Sequence, residues 1–226
     1  MKKILLLVVA ALFAVSAFAQ DYEEDEYKDK FDFGVDIFHD VWMGKPAGMD
    51  PGALNLGFSI FGMYEQHIWD SKNRFSLGMG GALTTHQLTS NMFIEDVTTA
   101  VIVFDTIPEG LEYSTSKLVV TYLDFPIEIR YKSKNDFRFA LGAKVGFRFD
   151  SHTKYSGQRL DGSTVAKEIV KHKNVANIES IRFGPTMRIG YKWFNLSMYY
   201  SVTKMFLQNR GPALRHFSVG LTLNPY

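Results

Sequence analysis

From Phe31 onward the chain is a succession of runs in which large apolar side chains alternate with small or polar ones. Residues 137–150, FRFALGAKVGFRFD, show the pattern most clearly. Phe137, Phe139, Leu141, Ala143, Val145, Phe147 and Phe149 hold one register, and Arg138, Ala140, Gly142, Lys144, Gly146, Arg148 and Asp150 hold the other. Period two sends the registers to opposite faces of a strand. The same reading predicts strands over about 31–42, 53–67, 74–87, 117–131, 178–192, 194–206 and 214–224. Every second connection is tight (near 68–73, 132–136 and 192–193), and the others, near 43–52, 88–116, 151–177 and 207–213, are longer. Eight runs joined in this way describe an eight-stranded antiparallel up-and-down β-barrel with one elaborated rim, the pattern of transmembrane barrels.

Alternation does not say which face is inside, but volume does. The apolar registers hold roughly forty large side chains, and an eight-stranded barrel has room only for packed side chains or one small ligand. The register rich in Gly, Ser, Thr and charges fits a narrow lumen. The apolar register therefore faces outward into lipid, and closure satisfies the backbone hydrogen bonds at membrane depth. Aromatic clusters near strand ends read as interfacial girdles: Phe31, Trp69, Tyr131, Phe137, Tyr191, Trp193 and Phe194 at the tight turns, and Trp42, Phe149 and Tyr155 at the other end.

The first residues change the picture by adding an address. Lys2 and Lys3, the apolar run Ile4–Phe18 and Ala17-Phe18-Ala19 predict a secretory signal peptide over 1–19. Residues 20–30, polar and acidic, read as a flexible leader, and 31–226 as the barrel domain. The expected location is the bacterial outer membrane after cleavage near Ala19, with the lipid bilayer, lipopolysaccharide and the outer-membrane assembly machinery as partners. A net charge of +1 carries no nucleic-acid footprint, and the absence of cysteine removes thiolate chemistry and disulfides.

Thr121-Tyr122-Leu123-Asp124-Phe125-Pro126-Ile127 and the FxFxLGxxxGF run after the tight turn resemble the bacterial outer-membrane β-barrel domain family of PorT-like type. The resemblance covers the whole mature chain and implies fold and location. It brings no shared catalytic residues. Tyr226 ends the chain on an aromatic, as in many such barrels, but Leu221 and Leu223 share parity with Pro225 instead.

The candidate chemistry falls in two groups. The first is a lumen charge network of structural character: Asp32, Asp36, Asp124, Glu128, Arg130, Arg138, Lys144, Arg148, Arg182 and Arg188, with Glu65 and Lys192 beside them. The simplest hairpin at 132–136 sets Tyr131 opposite Phe137, Glu128 opposite Ala140 and diagonal to Arg138, and Asp124 opposite Lys144. The second is at the rim, where His39-Asp40, His86 and Ser151-His152 hold residue types used by hydrolases and metal sites. Ser151 and His152 point to opposite faces if their strand continues, so no catalytic, cofactor or metal site is assigned. Connections 88–116 and 151–177 are expected to be long polar loops open to a protein partner. The basic stretch 167–173 could meet lipopolysaccharide headgroups. The leading expectation is a non-enzymatic scaffold. A narrow pore or transport accessory, and a rim hydrolase acting on lipid or peptide, are the alternatives.

Overall fold

The computed structural model describes residues 31–68, 74–160 and 167–224. The expected signal peptide and leader, Trp69 and Tyr226 lie outside these residues. Eleven strands run in chain order: β1 (Phe31–Met43), β2 (Leu56–His67), β3 (Phe75–Thr89), β4 (Met92–Phe93), β5 (Asp105–Thr106), β6 (Tyr113–Lys132), β7 (Phe137–Gln158), β8 (Lys167–Lys173), β9 (Ile181–Tyr191), β10 (Phe194–Tyr200) and β11 (Arg215–Leu223). The sheet order β6-β3-β2-β1-β11-β10-β9-β7 is closed by an additional β6–β7 pairing. All eight staves are therefore paired on both sides, and the ring is an eight-stranded antiparallel barrel. β8 lies outside the ring, paired to the far end of β7.

The two faces are as the alternation requires. Ile127 and Ile129 on β6, Leu141 on β7 and Leu221 on β11 are each more than half exposed, whereas Asp124 and Glu128 between them are buried at 0% and 1%. No helix among the described residues is long and apolar enough to cross a membrane.

Three features differ from the sequence reading. The first is register. Ser133 N donates to Phe137 O at 2.8 Å, so the β6–β7 turn has three central residues, Lys134 to Asp136. Asp136 takes a left-handed φ of 58°, as a three-residue hairpin requires. The pairing is thus shifted by two from the simplest count: Tyr131 faces Phe139, Glu128 faces Gly142 and Asp124 faces Gly146. A shift of two preserves the faces.

The second is a bulge. Thr121 pairs Asp150 while Tyr122 pairs Arg148, leaving Phe149 as the extra residue on β7. Below it the even residues of β7 point inward; above it Ser151, Thr153 and Tyr155 do, and all three are buried. Tyr155 therefore leaves the expected outer girdle. Trp42 leaves it too, because it shares the inward register of Asp36 and Asp40 and is buried.

The third is the rim. Within 151–177, residues 152–158 and 167–173 are not loop but a β-ribbon, the β7–β8 pair projecting beyond the ring. Ala100–Phe104, an apolar run inside a connection expected to be a polar loop, lies between β4 and β5, with Ile102 buried. Met49, Met92, Ile94, Val97, Ile102, Val175, Ile178, Met205, Phe206 and Leu214 come from all four larger connections and pack on Trp42, Leu88, Leu118, Val120 and Tyr122 in one apolar core.

The lipid-facing register makes a depth-dependent prediction. Leu141→Arg, near mid-strand, should cost about 2–4 kcal/mol, and Phe149→Arg, at the bulge, about 0–1 kcal/mol. Urea titration of each variant refolded into vesicles measures the difference.

Candidate functional site: the lumen charge network

The lumen is built on the small residues of β7. Asp124 of β6 and Arg182 of β9 are both lateral neighbours of Gly146, one on each side. With no side chain at Gly146, the two meet across it, Arg182 donating through Nε at 3.2 Å and Nη2 at 2.6 Å. A Cβ at Gly146 would clash with Asp124 Oδ1. Gly142 and Ala140 let Glu128 reach Arg188, 3.3 Å away, in the same manner. A Cβ at Gly142 would lie 2.9 Å from Glu128 Cγ. This is why cations and glycines share one register: the glycines are the spaces over which strands two apart in the ring exchange charge.

The network extends from these pairs. Lys144, one step off the Asp124 row, still reaches Asp124 at 3.2 Å. Arg130 binds Asp32 at 2.6 Å, Glu65 at 3.1 Å and Glu128 at 3.2 Å. Arg188 contacts Asp36 at 3.4 Å, and Thr222 donates to the other Asp36 oxygen at 2.6 Å. The guanidinium of Arg182 lies 4.0 Å from the Tyr122 ring centre and that of Arg188 4.4 Å from Phe61, so aromatic faces complete the desolvated shells.

Three expected members stand elsewhere. Arg138 lies at the turn end of β7, opposite Lys132 and Gly190, and Glu128 is not its diagonal neighbour. Arg148, just below the bulge, donates to Ser151 Oγ at 3.3 Å and to Val175 O at 3.5 Å, tying β7 to the rim. Lys192 sits in the β9–β10 turn with a left-handed φ of 52°, exposed and outside the lumen.

At the top of the network are Asp40, His86 and His216, buried, with potential ligand atoms all within 4.8 Å of one another. Sequence reasoning flagged Asp40 and His86 at the rim and missed His216, which only barrel closure brings close. His86 Nδ1 bonds Asp40 at 2.8 Å, and Ser218 donates to Asp40 at 2.6 Å. The Nε2 atoms of His86 and His216 both face Arg182 Nη1, at 2.5 and 3.3 Å. The point where the imidazoles converge is thus filled by a guanidinium, whose fixed positive charge opposes a metal ion there. No serine hydroxyl is bonded to either imidazole among the described residues. Of the other rim candidates, His39 Nδ1 accepts from Asn55 N at 3.2 Å, His152 pairs with Asp150 at 2.9 Å, and Ser151 Oγ accepts from Val175 N at 3.1 Å. The His39 and Ser151 contacts hold connections, the His152–Asp150 contact lies within β7, and together they do not form a Ser–His–acid set.

Fold and lumen together define a membrane β-barrel with a packed, charge-paired interior. The chain belongs to the outer membrane protein beta-barrel domain family, whose model matches residues 13–207. No curated protein matches the chain. Among solved structures it is similar to Ail, the attachment invasion locus protein of Yersinia pestis, in complex with the heparin analogue sucrose octasulfate. Identity there is 13% over 86% of this chain and 97% of that one, with a TM-score of 0.40. A mutant of Rh. blastica porin matches at 8% identity over 86% of this chain and 99% of that one, with a TM-score of 0.22.

Removing one partner of the central pair leaves a desolvated charge. Asp124→Ala should cost about 3–5 kcal/mol, and the Asp124→Ala/Arg182→Ala double variant less than the sum of the single changes. Gly146→Ala should cost about 1–3 kcal/mol by displacing Asp124. Denaturant unfolding of refolded protein, run as a double-mutant cycle, measures each value.

Proposed function

We propose that this protein is a non-conducting outer-membrane anchor that presents a rigid rim for interaction. The observation that carries the reading is that the barrel interior is filled twice over. The lower lumen holds the ion network, with a residual cavity of about 40 Å³ bounded by Asp36, Phe38, His86 and Lys144. That is space for a few water molecules in a lumen otherwise crossed by ion pairs. Above it lies the apolar core drawn from the four larger connections.

The connections also bond to each other. Ala176 N donates to Val97 O at 2.8 Å, Ile102 N to Arg210 O at 2.9 Å and Leu207 N to Asn177 O at 2.9 Å. Within 94–104, Thr98 donates to Asp96 through both its N–H, at 2.8 Å, and its hydroxyl, at 2.7 Å. These bonds hold the Asp96 carboxyl below the usual carboxylate range. Interlocked connections give a rim of fixed shape, which suits recognition and lowers the entropy cost of binding. Because short turns of such barrels face the periplasm and larger connections face out, the rim is assigned to the cell exterior. The reading includes no catalytic step, since the candidate histidines are committed to structural contacts.

Planar-bilayer recordings of the refolded barrel should show no unitary conductance; a stable channel would favour the narrow-pore reading. An epitope inserted at Gly110 should be reached by antibody on intact cells, and one at Ser133 should not. The reverse pattern would invert the assigned orientation.

A further inference from the structure

The β6–β7–β8 ribbon carries a charge arrangement that its own stability does not explain. Lys117 pairs directly with Lys154 across β6 and β7, and Lys154 pairs directly with Lys171 across β7 and β8. Paired residues share a face, with Cβ atoms about 4.5–5.5 Å apart, and like charges so placed are destabilising. The face is the outer one: Ser116, Leu118, Thr153 and Tyr155, which alternate with these lysines, are the buried set. Among the described residues, no carboxylate forms an ion pair with Lys117, Lys154 or Lys171. Lys117 does donate to Gln87 Oε1 at 2.7 Å. Burial, and then the charges of Lys154 and Lys171, hold the Lys117 ammonium below its ordinary pKa.

Position supplies the partner. The same outward face of β6 and β7 is apolar lower down, at Leu123, Phe125 and Phe147, and ends at the bulge with Phe149 73% exposed. Lys117 is four residues beyond Thr121, the partner of Asp150 at the bulge. At ~3.4 Å per residue and a tilt of 35–45°, that is about 10 Å above the lipid belt. A row of uncompensated ammonium groups just above acyl-chain height is complementary to clustered phosphates on a lipid headgroup.

We infer that Lys117, Lys154 and Lys171 form a binding site for the phosphate groups of a multiply phosphorylated lipid of the outer leaflet, the chemistry lipopolysaccharide carries. The inference rests on the orientation given under Proposed function, and it takes the site beyond the basic stretch 167–173, because two of the three lysines lie on other strands. The bound phosphates replace lysine–lysine repulsion with charge-assisted hydrogen bonds.

The test is native mass spectrometry of the full chain in zwitterionic detergent with added diphosphoryl lipid A. The wild type should retain bound lipid. The Lys117→Gln/Lys154→Gln/Lys171→Gln variant should bind about a hundredfold more weakly, at the usual worth of three near-surface lysines. A Lys132→Gln/Lys134→Gln variant at the β6–β7 turn should bind as the wild type does. The lipid-free triple variant should melt at a higher temperature than the lipid-free wild type, because repulsion has been removed. Equal lipid retention by the wild type and the triple variant would overturn the site. Displacement of the lipid by millimolar inorganic phosphate would overturn its assignment to a lipid. Gly110 labelling on intact cells reports the orientation separately, so failure of the site and failure of that reading are distinguishable.

Discussion

Hydrocarbon offers a polypeptide no hydrogen-bond partner, and the rest of this molecule follows from that constraint. A strand can lie in lipid only if both of its edges are paired, so the β6–β7 pairing that closes the ring is the contact on which the other staves depend. Closure at eight strands then fixes a lumen too narrow to be left wet or to hold large side chains from every stave. The inward register answers with glycine, alanine and short polar groups, and with a few long cations that reach across them.

Gly146 shows how these demands meet in one residue. It pairs laterally with Asp124 and with Arg182, and its missing side chain is the space in which those two groups neutralise each other. The pair in turn anchors His86 and His216 through the remaining guanidinium nitrogen, and His86 anchors Asp40. Polar and charged groups from β3, β6, β9 and β11, with Asp40 of β1, thus become one desolvated cluster whose members are costly to remove singly. A slip of any of these staves would separate the paired groups and leave a desolvated charge unpaired. The apolar core above it joins the connections, converting four separate loops into one rim.

Much of this was legible in the sequence, and the parts that were not have physical reasons. Period-two alternation gave every stave and its outward face, because lipid and lumen demand opposite side chains at each step. The two-residue error at the β6–β7 hairpin was invisible because a shift of two leaves every residue on its face; the signal was Asp136, a residue type that tolerates the left-handed conformation a three-residue turn needs. The bulge at Phe149 has no glycine or proline to mark it. Alternation continues past it with small and polar residues, so the change of parity that buries Tyr155 and turns Lys154 outward had no sequence signature. The Asp40–His86–His216 cluster draws on β1, β3 and β11, residues far apart in the chain, and only closure brings them together. The rim core was missed because Met92, Val97 and Val175 follow no period in connections read as polar loops, and because Phe206 and Leu214 were read as the ends of strands that in fact stop at Tyr200 and begin at Arg215.

The central claim is that one face of β7 meets lipid up to Phe149 and that the inward face changes parity there. With no native cysteine to remove, single cysteines can be placed at successive positions 139–147 and 151–156, spin-labelled, and measured for oxygen accessibility in vesicles. The barrel described here requires maxima at odd positions through Phe147, with period two, and at even positions from His152 onward. Maxima at even positions below the bulge, or a single unbroken phase along the whole strand, would contradict it.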